Sequence, residues 1–208
     1  MIKAIVFDFG GVLMRTEDHT GRRQWEARLG LSEYELDQTV FHSEAANRAT
    51  VGDEPEAAIW QNVAAVFKLT PEQLDALQTD FWSGDRLDAD LVSLLGSLRP
   101  RYQTAILSNY WPNGRELIGR VNGLEQVVDV IFISSEERLA KPDARLYQRV
   151  TERLGVTPEE VVLVDDFAAN IDGARAAGWQ TIHYQAGMNM RAALEQLGVV
   201  IPARYPPP

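Results

Sequence analysis

Three short runs of apolar residues each stop at side chains able to do chemistry, and this juxtaposition limits the fold more than any other feature of the chain. Residues 4–7 run into Asp8-Phe9-Gly10-Gly11, 104–107 into Ser108-Asn109, and 161–164 into Asp165-Asp166. A fourth run covers 181–184, and a weaker one, 128–133, is interrupted by Asp129. Runs rich in apolar and β-branched residues suit strands of a parallel sheet covered on both faces. Helical patterns lie between them. Residues 88–98 place Leu91, Leu94, Leu95 and Leu98 on one face; 144–154 do the same with Leu146, Tyr147, Val150 and Leu154, ahead of Gly155 as a C-cap. Thr157-Pro158-Glu159-Glu160 has the N-cap, proline and acidic first turn of a helix start. This alternation predicts an α/β fold, a doubly wound, Rossmann-like parallel sheet.

From 16 to 85 the pattern changes. No convincing strand is present, and Leu31-Ser32-Glu33-Tyr34-Glu35 and Leu69-Thr70-Pro71-Glu72-Gln73 read as helix starts. Trp60, Val63, Ala64 and Phe67 form a stripe at helical spacing, the signature of a packed core. The expectation is a core of residues 1–15 and 86–201, an all-helical insertion at 16–85, and a proline-rich tail at 202–208. Most of the net negative charge lies in the insertion. Near its start Arg15, Arg22, Arg23 and Arg28 are bunched, either as a solvated helix face or with one or two meeting an anionic substrate.

Composition excludes several chemistries. The 208 residues include no cysteine, which removes disulfides, thiolate metal sites and cysteine nucleophiles. A net charge of −10 repels phosphodiester backbones, so nucleic acid is not expected as a partner. The N-terminal apolar stretch is short and broken by Asp8, unlike a signal peptide, and no run is long enough to span a bilayer. A soluble cytoplasmic protein is the expectation; oligomeric state is not readable.

In an open parallel sheet, ligands bind at the carboxyl ends of the strands, near the point where strand order reverses. Asp8, Ser108, Asn109, Asp165 and Asp166 follow strand runs, and Lys141 follows the weaker run in a loop closed by Pro142. The chemistry this set suggests is phosphoryl transfer assisted by a hard cation. Carboxylates from separate strands can share one Mg²⁺, and one of them can attack phosphorus. Magnesium, Lys141 and backbone N–H groups would neutralise the phosphoryl oxygens. Gly10-Gly11 lets the main chain approach a phosphate closely. The adjacent carboxylates of Asp165-Asp166 repel unless a cation sits beside them.

These residues resemble the four motifs of the haloacid dehalogenase-like hydrolases. Phe7-Asp8-Phe9-Gly10-Gly11-Val12-Leu13 is similar to the first motif and Leu107-Ser108-Asn109 to the second. Lys141-Pro142-Asp143 is similar to the third, and Val164-Asp165-Asp166, with Asn170 following, to the fourth. The helical block matches the small cap that the family inserts after the first strand. The resemblance implies that Asp8 is nucleophile and metal ligand, and that the Gly10 carbonyl and Asp166 complete the protein ligands of Mg²⁺. It implies Asp165 as a nearby or water-mediated partner and Asn170 as the residue orienting that turn. Ser108, Asn109, Lys141, Gly10 and Gly11 would bind the substrate, with Ser108 and Lys141 acting in catalysis.

One position departs from the family pattern. Most phosphatases of the family have a second Asp, a general acid and base, two residues after the nucleophile, and here that residue is Gly10. Three readings follow: a Mg-dependent phosphatase of a small phosphorylated metabolite such as a sugar phosphate, a haloacid dehalogenase in which Asp8 attacks carbon, or a catalytically idle ligand-binding member. The paired acids of the fourth motif favour the first, since a dehalogenase has no use for a divalent cation. Arg15, Arg22, Arg23 and Trp25 are candidates for substrate contact and His19 for a substitute proton donor; Trp111 would line the pocket rim or pack beneath the cap, the rim being favoured. His42 reads as a surface residue.

Overall fold

The computed structural model describes residues 1–202; the tail expected at 202–208 lies, from 203 onward, outside the described residues. In chain order the elements are β1 (Ala4–Phe7), β2 (Met14–Thr16), α1 (Thr20–Leu29), α2 (Glu35–His42), α3 (Glu44–Thr50), α4 (Glu56–Phe67) and α5 (Pro71–Trp82). Then come β3 (Asp85–Leu87), α6 (Ala89–Ser97), β4 (Gln103–Ser108), β5 (Val130–Ile133), α7 (Ser134–Glu137), α8 (Ala144–Leu154), β6 (Val161–Asp165), α9 (Ala168–Ala176), β7 (Gln180–His183) and α10 (Met190–Gln196).

Five strands form one parallel sheet in the order β5-β4-β1-β6-β7. β1 is central and buried at every position because both faces of the sheet are covered. Ile5 and Phe7 point to one face, where α6 and α10 pack with Leu91, Leu94, Leu95, Met190 and Leu194. Ala4 and Val6 point to the other, against Leu146, Tyr147 and Val150 of α8 and Ala174 of α9. Each buried Leu, Ile or Val contributes about 1.5–3 kcal/mol relative to its exposed state. The doubly wound sheet is therefore as expected.

Between β2 and β3 the five helices α1–α5 build a core of their own from Trp25, Leu36, Val40, Ile59, Trp60, Val63, Leu77 and Phe81. Thr70 and Gln73 close a full capping box at the start of α5, with Pro71 at its first position. The stretch expected to be free of strands begins and ends in one. Thr16 pairs with Asp85 and Arg15 with Arg86 in an antiparallel ribbon of β2 and β3 through which the chain leaves and re-enters the sheet layer. Strands of three half-buried residues carry too little alternation to register as a pattern.

Two local readings also shift. Thr157 and Glu160 form a capping box, but the turn lasts only three residues because the apolar run beginning at Val161 enters β6 at once. The run at 128–133 becomes a strand only from Val130, since the Asp129 carboxylate turns back to accept from the N–H and hydroxyl of Thr104.

Candidate active site

Strand order brings the carboxyl ends of β1, β4 and β6 side by side, and Asp8, Ser108 and Asp165 emerge there together. At the centre is the Lys141 ammonium, 2.8 Å from Asp8 Oδ2 and 2.6 Å from Asp165 Oδ2, with its side chain fully buried. The second Asp8 oxygen, Oδ1, accepts from the N–H of Phe9 at 2.7 Å. Asp165 is completely enclosed. The Phe167 N–H and the Asn170 amide donate to it, and Asn170 is itself held through its carbonyl by the Tyr147 hydroxyl. With its oxygens so engaged, Asp165 fixes the lysine. Ser108 is 2% exposed, and among the described residues its hydroxyl has no hydrogen-bond partner.

The Asn109 side chain turns toward the Lys141 loop. Its amide nitrogen donates to the Lys141 carbonyl at 2.9 Å and its oxygen accepts from the Lys141 N–H at 2.8 Å. Both ends of the amide are thereby committed to holding the lysine loop.

Asp166 stands exposed at the mouth, and one carboxylate oxygen each of Asp8, Asp165 and Asp166 lie within 4.8 Å of one another. Gly11 approaches this carboxylate with φ +79°; a Cβ there would meet Asp166 Oδ2 at 2.1 Å, so only glycine permits the approach. His183, at the end of β7, donates from Nε2 to the Asp166 carbonyl at 2.9 Å. The rule that selected Asp8 and Ser108, polar residues at strand ends, passed over His183 because the run read at 181–184 contains it, whereas the strand itself ends there.

Three carboxylates thus face one ammonium. Burial is the main force on Asp8 and, against the pull of Lys141, pushes its carboxyl up to about 7, with Asp165 and Asp166 adding to the rise. Desolvation and Asp165 also raise Asp166. Burial opposes ionisation of Asp165 too, but Lys141 and the donated hydrogen bonds outweigh it and hold that carboxyl below its ordinary range. Burial likewise opposes the charge on Lys141, and Asp8 and Asp165 overcome it. With all four groups ionised, the cluster carries two unbalanced negative charges. Hard oxygen donors, an excess of two charges and a glycine cradle fit a divalent cation such as Mg²⁺.

The arginines near the first motif are engaged elsewhere. Arg15 bonds Asp88, Tyr184 and the Val12 carbonyl; Arg22 is buried between Asp37 and Asp85; Arg23 pairs with Glu26 and Glu33. Trp25 is 2% exposed and donates to Asp80. Trp111 is not on a rim: its ring stacks on Phe41, 6.0 Å away, and meets Trp82 edge-on inside the core of the insertion. His19 packs edge-on against Tyr34, and His42 is exposed as expected. Most of these partners lie far off in sequence and left no local signal; Glu26 beside Arg23 and the Val12 carbonyl beside Arg15 are the near ones.

A family model described as haloacid dehalogenase-like hydrolase matches residues 2–178. The chain belongs to the haloacid dehalogenase-like hydrolases. Within that family its relatives do different chemistry. It is 34% identical over 137 residues to (S)-2-haloacid dehalogenase 1 of Pseudomonas sp. (strain CBS-3), a match covering 61% of this chain and only 60% of the relative. It is 26% identical over 203 residues to D-ribitol-5-phosphate phosphatase of Bacteroides thetaiotaomicron, covering 93% and 97% of the two chains. In fold it is similar to a haloacid dehalogenase-family enzyme of Bacteroides thetaiotaomicron solved in complex with magnesium and inorganic phosphate. That likeness has a TM-score of 0.73 at 20% identity and covers 93% of this chain and 99% of the other. Among the described residues no helix is long and apolar enough to cross a membrane.

Proposed function

We propose that this haloacid dehalogenase-like hydrolase is a Mg²⁺-dependent phosphatase of a small phosphorylated metabolite, with a sugar or polyol phosphate as the substrate class. The observation that carries the reading is the set of three carboxylates against the single Lys141 ammonium, an imbalance that a divalent cation relieves and that attack on a carbon–halogen bond does not require. The near full-length likeness to D-ribitol-5-phosphate phosphatase supports it. So does the pairing of Arg15, Arg22 and Arg23 with acids, which leaves none of the three to hold the carboxylate of a haloacid.

In this reading the Asp8 carboxylate attacks phosphorus while the bond to the leaving oxygen breaks, giving an aspartyl-phosphate and an alkoxide that takes a proton from water. Water then attacks phosphorus, the bond to Asp8 breaks, and inorganic phosphate leaves. Lys141 favours the ionised form of Asp8 and holds it in place, and the Ser108 hydroxyl donates to a phosphoryl oxygen. Asp8, the Gly10 carbonyl and Asp166 would hold Mg²⁺, with Asp165 behind them, and the ion would neutralise charge on the phosphoryl oxygens. Helices α1–α5 act as a cap that selects the leaving group.

The test is phosphate release from a panel of sugar and polyol phosphates and p-nitrophenyl phosphate, with and without Mg²⁺, beside halide release from 2-haloacids. Mg²⁺-dependent phosphate release, abolished in Asp8→Asn without loss of fold, is expected. Metal-independent halide release without phosphate release would establish the dehalogenase reading instead.

A further inference from the structure

An insertion joined to its host only through its two ends is free to swing about them. This one is also held at its middle. Ser134, the first residue beyond β5, is fully buried, and its hydroxyl accepts from the Tyr110 N–H at 2.9 Å and donates to the Thr50 carbonyl at 2.6 Å. Tyr110 lies two residues beyond Ser108, and Thr50 is the last residue of α3, so one hydroxyl joins the loop after β4 to the backbone of the helical insertion. Four residues on, Arg138 donates to the Gly52 carbonyl at 2.5 Å and to Asp53 Oδ1 at 3.0 Å. Between these two contacts the backbones touch. Gly52 has φ +77°, and a Cβ on it would meet the Ser135 carbonyl oxygen at 2.3 Å. Beside the same loop, Trp111 lies against Phe41 and Trp82 of the cap. Asp8 is only 7% exposed beneath this arrangement.

We propose that Ser134 and Arg138 form a latch holding the cap down on the sheet layer, as positioning residues that tie cap position to the Ser108–Tyr110 loop. The latch differs in place from the β2–β3 ribbon, about which the cap turns when the latch yields. Its kinetic consequence rests on the phosphatase reading above; its structural consequence does not.

The deciding measurement is amide hydrogen exchange at Tyr110 in metal-free protein, comparing wild type with Arg138→Ala. The Arg138 side chain is 63% exposed, so its removal leaves the core intact. Arg138 makes no hydrogen bond to Tyr110; exchange there rises only if losing one half of the latch frees the other by drawing Thr50 away from Ser134. A charged hydrogen bond, discounted for exposure, predicts a rise of roughly three- to tenfold. Gly52→Ala, which forces the two backbones apart, should produce the same rise by an independent route. With p-nitrophenyl phosphate and Mg²⁺, Arg138→Ala should raise KM while kcat stays close to wild type. Unchanged Tyr110 exchange in Arg138→Ala overturns the latch, whatever Gly52→Ala does. A wild-type protein without phosphatase activity would defeat the proposed function but leave the exchange result to decide the latch.

Discussion

Gly10 and Gly11 are neighbours with opposite tolerances. A Cβ on Gly11 would strike Asp166, whereas one on Gly10 would meet no atom within 4 Å, so room exists for the carboxylate that most phosphatases of the family carry there. Gly10→Asp is expected to raise kcat on alkyl phosphate esters, whose alkoxide leaving groups need a proton, by ~10²-fold or more. The gain should be smaller on p-nitrophenyl phosphate, whose leaving group needs none; equal gains on both would argue against a general-acid role. A second prediction concerns Asp8, whose carboxyl rises from 3.8 to about 7 in the metal-free protein through burial. Between those values the folded chain keeps a proton that the unfolded chain has released, so stability falls as pH rises through the interval and the loss is complete above it. Thermal melting in metal-free buffer should therefore place Asp8→Asn above wild type at pH 8, with the gap closing toward pH 4. Equal melting temperatures at pH 8 would mean that Lys141 already offsets the cost.

At the level of elements, Arg22 shows how the inserted helices are bound to the β2–β3 ribbon. From α1 it reaches Asp37 at 2.5 Å, the Phe81 carbonyl at 2.9 Å and Asp85 of β3 at 3.0 Å, with its guanidinium 4.0 Å above the Phe81 ring. Removing one partner of a buried ion pair costs about 3–5 kcal/mol, because the other charges stay buried and uncompensated. Arg22→Ala should therefore split thermal unfolding into two steps, an early one assigned to the cap by hydrogen exchange in α1–α5; a single unshifted transition would contradict this. Arg22 also marks what could be read in advance. Its partners lie 15, 59 and 63 residues away, so sequence proximity to Asp8 suggested a substrate contact where the fold makes a clasp. Helix α8 was legible because its apolar face and Gly155 are local signals, and β1 because a strand buried on both faces is apolar throughout. Asp8 and Asp165 were legible for a topological reason, since strand ends in a parallel sheet converge, whereas Lys141 reaches them from the loop beyond α7. The direction of the Asn109 amide, toward the Lys141 backbone, was not legible, because nothing in a sequence tells which way an amide faces.

For the whole molecule, binding at the site adds to the stability of the fold. A phosphate mimic with Mg²⁺ at about 100 times its Kd contributes about 2.7 kcal/mol. In a chain of this length that corresponds to a rise of roughly 5–10 °C in Tm. Beryllofluoride with Mg²⁺ should produce this rise in wild type and lose it in Asp8→Asn; an unmoved wild-type Tm would count against a phosphoryl site at Asp8. The order of strands has one more consequence. β1 leaves the ribosome first, yet its two neighbours in the sheet start at Gln103 and Val161. A nascent chain halted before residue 165 displays Asp8 with neither the carboxylate that steadies Lys141 nor a completed sheet to bury them. Asp8 is thus made early and enclosed late: its burial in a finished sheet, and the lysine contact that Asp165 completes, both wait for β6.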